Sequence, residues 1–256
     1  MVKKIKKLIA TESDSAEKYT SKLSGIYSLE TFDAHAFVQD GRASQAVCNF
    51  ILSLACVYND FKDTTLALEY LAKVQPPSPN EETATCGEYN GIRMHIIRSQ
   101  LALIHELIDL IKRESKTIED SFFQEVISQV DKVGSHSWKT LVDVSQGKIE
   151  SDKIARALLM IRNKISFHYD SKEIFKGYKK LFLDSTEKKA YISRGDTLNK
   201  ERYYFAEAAA QMYFYGCTEE AEVLERILDV MAGIPPALSQ IIKLFIQKRG
   251  YGWRNV

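Results

Sequence analysis

Proline, cysteine and tryptophan are scarce in this chain: 5, 4 and 2 of 256 residues. Pro76, Pro77 and Pro79 share one short stretch, and Pro235 and Pro236 are adjacent. Proline cannot continue a helical hydrogen-bond ladder, so breaks are expected at those two places. Cys48, Cys56, Cys86 and Cys217 form no CxxC pair. That excludes the usual zinc spacings and a disulfide framework. Cys48 and Cys56 lie inside an apolar helical pattern, so buried, reduced thiols are expected. No apolar run approaches the ~18–20 residues that span a bilayer, so no membrane partner is expected. An excess of one charge is also lacking. Lys and Arg number 35 against 34 Asp and Glu, a net charge of +1. A whole-molecule basic field that draws in nucleic acid is thereby excluded, and any RNA contact has to be local.

The N-terminus, Met1 to Ala10, begins like the basic region of a signal peptide, but Thr11-Glu12-Ser13-Asp14 interrupts it before an apolar core can form. A cytoplasmic protein is the expectation. Strand-like alternation, internal repeats and low-complexity segments are missing as well.

What is there is helical periodicity. Residues 1–40 are polar and weakly patterned, with a short helix expected over 16–29. From 41 to 73, Ala43, Val47, Phe50, Ile51, Leu54, Val57, Tyr58 and Phe61 recur at three- and four-residue steps, one apolar helical face. The proline cluster then ends it. A second helix is expected over 88–114 and a third over 118–132, with Gly134 and Ser135 as a stop. A short helix over 138–144 ends at Gly147, and the next covers 151–169. Beyond it, helices are expected over 174–183, 198–215, 218–231 and 237–247, with a break at Gly233 to Pro236 and a loose tail. The fold class is all-α, an antiparallel helical bundle with additional C-terminal helices. Its parts are an N-terminal extension (1–40), a bundle (41–185) and a C-terminal helical extension (186–256) packed on the bundle as one compact unit.

The chemically richest stretch is Arg162-Asn163-Lys164-Ile165-Ser166-Phe167-His168, near the end of a predicted helix. It unites a permanent cation, an amide and an imidazole that titrates near neutral pH. A histidine can take the proton of a ribose 2′-OH and return one to the leaving 5′-oxygen. An arginine can stabilise the charge that builds on phosphorus. Asn163 can orient either group or hold a phosphate oxygen. No metal or other cofactor is needed. Six residues separate Arg162 from His168, about 120° around a helix axis. They converge only if the helix ends near His168, or if two copies face each other across a two-fold axis.

Arg-Asn-x4-His late in a helix of an all-α bundle resembles the signature of the HEPN superfamily (higher eukaryotes and prokaryotes nucleotide-binding). The resemblance implies a bundle that homodimerises through the motif helix. It also implies metal-independent endoribonuclease activity, often in toxin–antitoxin or phage-defence systems, where a protein regulator is a natural partner. Carried onto this chain, Arg162, Asn163 and His168 are the catalytic candidates, and Lys164 and Tyr169 the substrate-binding ones. The alternative is a non-catalytic module for dimerisation, interaction or nucleotide binding.

Other features have plainer readings. Arg98 and His105, seven residues apart, form a second Arg-x4–6-His pair, but mid-helix and without the adjacent asparagine. His95 and His105 stand ten residues apart, unlike a zinc-binding i, i+4 pair. Asn59-Asp60 interrupts an apolar helix and is either a buried partner for the motif or solvent-exposed. Lys248, Arg249, Tyr251, Trp253 and Arg254 mix basic and aromatic residues, a composition that suits single-stranded RNA or an incidental tail.

Overall fold

A computed structural model describes residues 30–78, 81–147, 149–163, 169–184, 189–194, 196, 201–217, 221–250 and 254–255. Among them the architecture is a bundle of α-helices. These are α1 (Gln45–Lys73), α2 (Ala84–Arg113), α3 (Ser115–Ile118), α4 (Ser121–Ile127), α5 (Lys132–Ser145), α6 (Ile149–Ile161), α7 (Ser171–Tyr178), α8 (Tyr204–Cys217) and α9 (Ala221–Lys248). The helix expected over 16–29 lies outside the described residues.

Side-chain caps set most of the starts. The hydroxyl of Ser44 accepts from the Val47 amide, that of Thr83 from Cys86, and the carboxylate of Asp131 from Gly134. Each satisfies an amide that the first helical turn leaves without a partner. α1 buries the expected stripe, with Val47, Ile51 and Leu54 fully enclosed, and ends just before Pro76.

The core runs between α1, α2, α5, α6 and α9. At one end Phe50, Phe123 and Trp138 meet with ring centroids 5.5–6.4 Å apart. Burying a side chain of this size contributes about 2–3 kcal/mol.

Several expectations change. The span 118–132 is not one helix: Asp120 accepts from the amides of Phe122 and Phe123 and starts α4 afresh. Gly134 and Ser135 are no stop, because Asp131 caps the helix just before them and α5 runs through. The break at Gly233 to Pro236 is absent: α9 is continuous across both prolines. Its apolar face carries Ile234, Ala237, Leu238 and Ile241, all but sealed from solvent, and that burial outweighs the roughly 3 kcal/mol that proline costs inside a helix. Gly233 lets α9 approach α5, since a Cβ there would lie 2.8 Å from the Ser137 hydroxyl. Cys48 and Cys86 are buried, but Cys56 faces solvent on the outer side of α1. α8 begins at Tyr204 rather than 198, and Arg202 instead bridges the backbone of Ser193.

The tail is also tied down where the described residues reach it. β1 (Glu30–Thr31) pairs antiparallel with β2 (Arg254–Asn255), a ribbon too short to show as alternation in sequence. Arg249, just past α9, has a fully buried side chain. It donates to the carbonyls of Ala36 (2.9 Å) and Val38 (2.5 Å) and pairs with Asp40. It is therefore unavailable to RNA.

α9 includes a stretch, Glu225–Lys248, long and apolar enough to cross a membrane by length and composition. In this fold that stretch packs on α1, α4, α5 and α6.

α7 lies closely along α8, and Gly177 permits it. A Cβ at Gly177 would stand 2.1 Å from the carbonyl oxygen of Ala209, a backbone atom that cannot swing aside. Gly177→Ala is expected to part the two helices at a cost of about 1–3 kcal/mol, the usual range for overpacking. Amide hydrogen exchange across α7 should speed up. Unchanged stability and exchange would show that the close approach is dispensable.

Candidate active site at the end of α6

α6 buries Ile154, Ala157, Leu158 and Ile161 against the core. Arg162 and Asn163 follow in a wider, π-type turn. Such widened turns leave the regular ladder and re-aim side chains, and they recur at functional sites. The helix does not run to Tyr169, as the sequence suggested. Tyr169 and Asp170 are outside it, and the Asp170 carboxylate accepts from the amides of Lys172 and Glu173 to start α7. Lys164 and His168 lie outside the described residues.

Arg162 is held at two points. Its Nε donates to Glu106 Oε1 on α2 at 3.0 Å, and its Nη1 donates to Asn163 Oδ1 at 2.8 Å. One acceptor comes from a neighbouring helix and one from the next residue, so the plane of the guanidinium is set. About a third of the Arg162 side chain stays open to solvent. The Asn163 side chain thus braces one edge of the Arg162 guanidinium. Tyr169 is 71% exposed.

Glu106 draws notice in the sequence only beside His95 and His105, as a metal-site candidate, and not as the partner of Arg162. It reads as an ordinary charged residue beside an apolar stripe, and nothing local marks it as that partner. Asn59 and Asp60, the other candidates, are exposed on the outer side of α1. His105, one residue before Glu106, is nearly buried, with Nδ1 3.6 Å from Asp109 Oδ2. His105 and Asp109, but not Glu106, line a groove of about 630 Å³ that continues along α6 past Arg156 and Leu159.

Comparison with known family models, curated proteins and solved structures gives no match.

Nearer the N-terminal end of α2, a cleft of about 460 Å³ opens toward α8. Arg98 lines it, and burial pushes its guanidinium below the ordinary value, partly offset by the Tyr169 hydroxyl and by Glu207. Arg202 caps the cleft wall with a two-pronged contact to Glu207 (2.7 and 3.0 Å) and another to Glu88 (3.0 Å). Burial works against the Arg202 cation, but the hydrogen bond and charge of Glu207, with Glu88, raise its pKa overall. The carboxylates and cations here offset one another, so this cleft offers no strong net charge to a ligand.

Among the described residues no cluster of three or more His, Cys, Asp or Glu side chains has the arrangement of a metal site.

Proposed function

We propose that this chain is a HEPN-like endoribonuclease that cleaves RNA without a metal. The observation that carries this reading is the oriented, partly open Arg162 guanidinium at the end of α6, fixed by Glu106 and Asn163. A planar cation held from two sides is pre-organised for the oxygens of a phosphate, and pre-organisation is what makes such a contact effective in a transition state.

In the proposed reaction His168 takes the proton from the ribose 2′-OH. The 2′-oxygen attacks the adjacent phosphorus, the bond to the 5′-oxygen breaks, and a proton is returned to that oxygen. The products are a 2′,3′-cyclic phosphate and a free 5′-hydroxyl. Arg162 meets the charge on the non-bridging oxygens, Asn163 keeps Arg162 in place, and Lys164 and Tyr169 contact the strand. The working form is a homodimer through α6. Leu159 (43% exposed) and Met160 (38%) support it, since they leave apolar surface on the motif helix that one chain does not cover. The proposed setting is the cytoplasm, under a protein regulator of the toxin–antitoxin or phage-defence kind.

The second reading is a non-catalytic dimerisation, interaction or nucleotide-binding module. The same exposed Leu159 and Met160 favour it, because an interface needs no chemistry.

Purified protein incubated with single-stranded RNA in EDTA separates the two. Products ending in 2′,3′-cyclic phosphate are expected, and His168→Ala is expected to abolish them with the far-UV spectrum unchanged. Cleavage that survives this substitution would remove the role given to His168. A chain that sediments as a monomer would remove the shared cleft.

A further inference from the structure

From Ser171 to Leu183 the chain carries four lysines and one glutamate, a local excess of three positive charges (4 − 1) in a protein whose net charge is +1. The segment spans α7 and the π-type turn Lys179–Leu183 that continues it. Its exposure follows helical spacing. Lys172, Phe175, Lys176, Lys179, Lys180 and Leu183 are exposed, while Gly177 is buried and Ile174, Tyr178, Leu181 and Phe182 are partly covered. One face therefore presents a row of ammonium groups with an aromatic ring among them; two of these cations sit in solvent-exposed ion pairs, Lys176 with Glu173 (2.8 Å) and Lys179 with Asp184 (3.4 Å), which a phosphate would have to displace.

That ring is supported from behind. Phe175 is 58% exposed and lies nearly parallel to Tyr178, with an interplanar angle of 15° and centroids 6.4 Å apart. Tyr178 meets Phe205 edge-on at 6.2 Å, and Phe205 meets Tyr203 at 6.1 Å. Tyr203, at the start of α8, is 53% exposed. A line of four rings thus begins at the surface among the lysines, at Phe175, and ends at the surface at Tyr203, whose hydroxyl donates to Glu201 (3.3 Å). Large exposed rings on a charged face mark a contact surface rather than a core.

We infer that this face is a platform for single-stranded RNA, with Phe175 and Tyr203 stacking on unpaired bases and the lysines meeting phosphates. Alternating cations and open rings are what sequence-tolerant single-strand binding requires. Paired bases hide the faces that such rings need. A membrane surface fits less well. Interfacial helices bury a continuous apolar face, whereas here Phe175 and Leu183 are separated by lysines. The polymer is taken to be RNA on the strength of the ribonuclease reading.

The test is fluorescence anisotropy of a labelled 20-nucleotide 2′-O-methyl oligouridine, which the proposed 2′-OH chemistry cannot cut, with the full-length protein in EDTA, cleavage being scored separately on unmodified RNA. Binding is expected to weaken about tenfold in Phe175→Ala and in Tyr203→Ala, within the range for loss of one base–aromatic stack. Lys172→Glu with Lys180→Glu is expected to weaken it further and to flatten the salt dependence by roughly one unit of slope or more. An RNA duplex of equal length should bind more weakly than the single strand. No binding by the wild type, or wild-type affinity in both ring variants, overturns the platform. So does capture of phosphatidylserine vesicles in place of RNA. A shift from dimer to monomer at unchanged RNA affinity also overturns it and makes the face a contact between copies. Ring-dependent binding without any cleavage sinks the nuclease and leaves the platform standing. Cleavage together with ring-independent binding does the reverse.

Discussion

Arg162→Ala is expected to slow the proposed RNA cleavage about 10²–10³-fold, the usual cost of deleting one donor that meets transition-state charge. The melting temperature should move by only about 1–2 °C. The small number follows from exposure. Arg162 and Glu106 are about a third and two-fifths open, and ion pairs this wet contribute about 0–1 kcal/mol. One kcal/mol shifts the melting point of a chain this size by roughly 2–4 °C. The large number follows from orientation, since a guanidinium held by Glu106 and Asn163 loses little entropy on meeting a phosphate. Arg162→Lys keeps the charge but loses the planar fork, and it should recover only part of the rate. Glu106→Gln keeps an acceptor for Nε and should fall between the two. Single-turnover cleavage and thermal melting on the same preparations decide the matter. A wild-type rate in Arg162→Ala would end the catalytic assignment. A fall of 8 °C or more with proportionate loss of activity would make Arg162 a structural residue.

The largest effect on stability is expected at the other end of the chain. Arg249→Met should cost about 3 kcal/mol and lower the melting temperature by roughly 6–12 °C. The methionine fills the space, but the Ala36 and Val38 carbonyls lose charge-assisted donors worth about 1.5–3 kcal/mol each. The same junction makes the protein acid-sensitive. The amides of Ala43 and Arg42, and then Arg249 itself, hold the Asp40 carboxyl down at about 2. A depressed carboxylate stabilises the fold above its unfolded pKa of about 3.9, and that contribution fades as pH falls toward 2. Asp33 and Asp131 are lowered too, chiefly by the backbone amides of His35 and Gly134. Stability should therefore drop between about pH 4 and 2, with Asp40→Asn removing part of that slope. Urea midpoints across this range measure it. An Arg249→Met protein as stable as wild type would show the anchor to be idle.

These two residues differ in how far they could be read in advance. Arg162 and Asn163 stand out because a cation and an amide precede a histidine in a short helical stretch, and adjacency is a property of sequence. Glu106 could not be found that way, since 56 residues separate it from Arg162 and only the packing of α6 on α2 joins them. Arg249 was read as part of a loose tail because its basic and aromatic neighbours suggest one. Its buried role depends on carbonyls more than 200 residues away. The α7 face was half legible: the helix and its lysines show in the spacing, while the ring line from Phe175 to Tyr203 depends on α7 lying against α8.

The sequence by itself determined the helical class, the approximate places of most helices and the inward stripe of α1. Those rest on local causes: side-chain caps, 3.6-residue periodicity and the scarcity of proline. Tertiary structure decided what local causes leave open. It carried α9 through two prolines because the buried face outweighs the missing hydrogen bonds, used Gly177 and Gly233 as points of close approach, and supplied Arg162 with a carboxylate from another helix. Each of these is a contact between distant segments, and its energy exists only once the chain has folded.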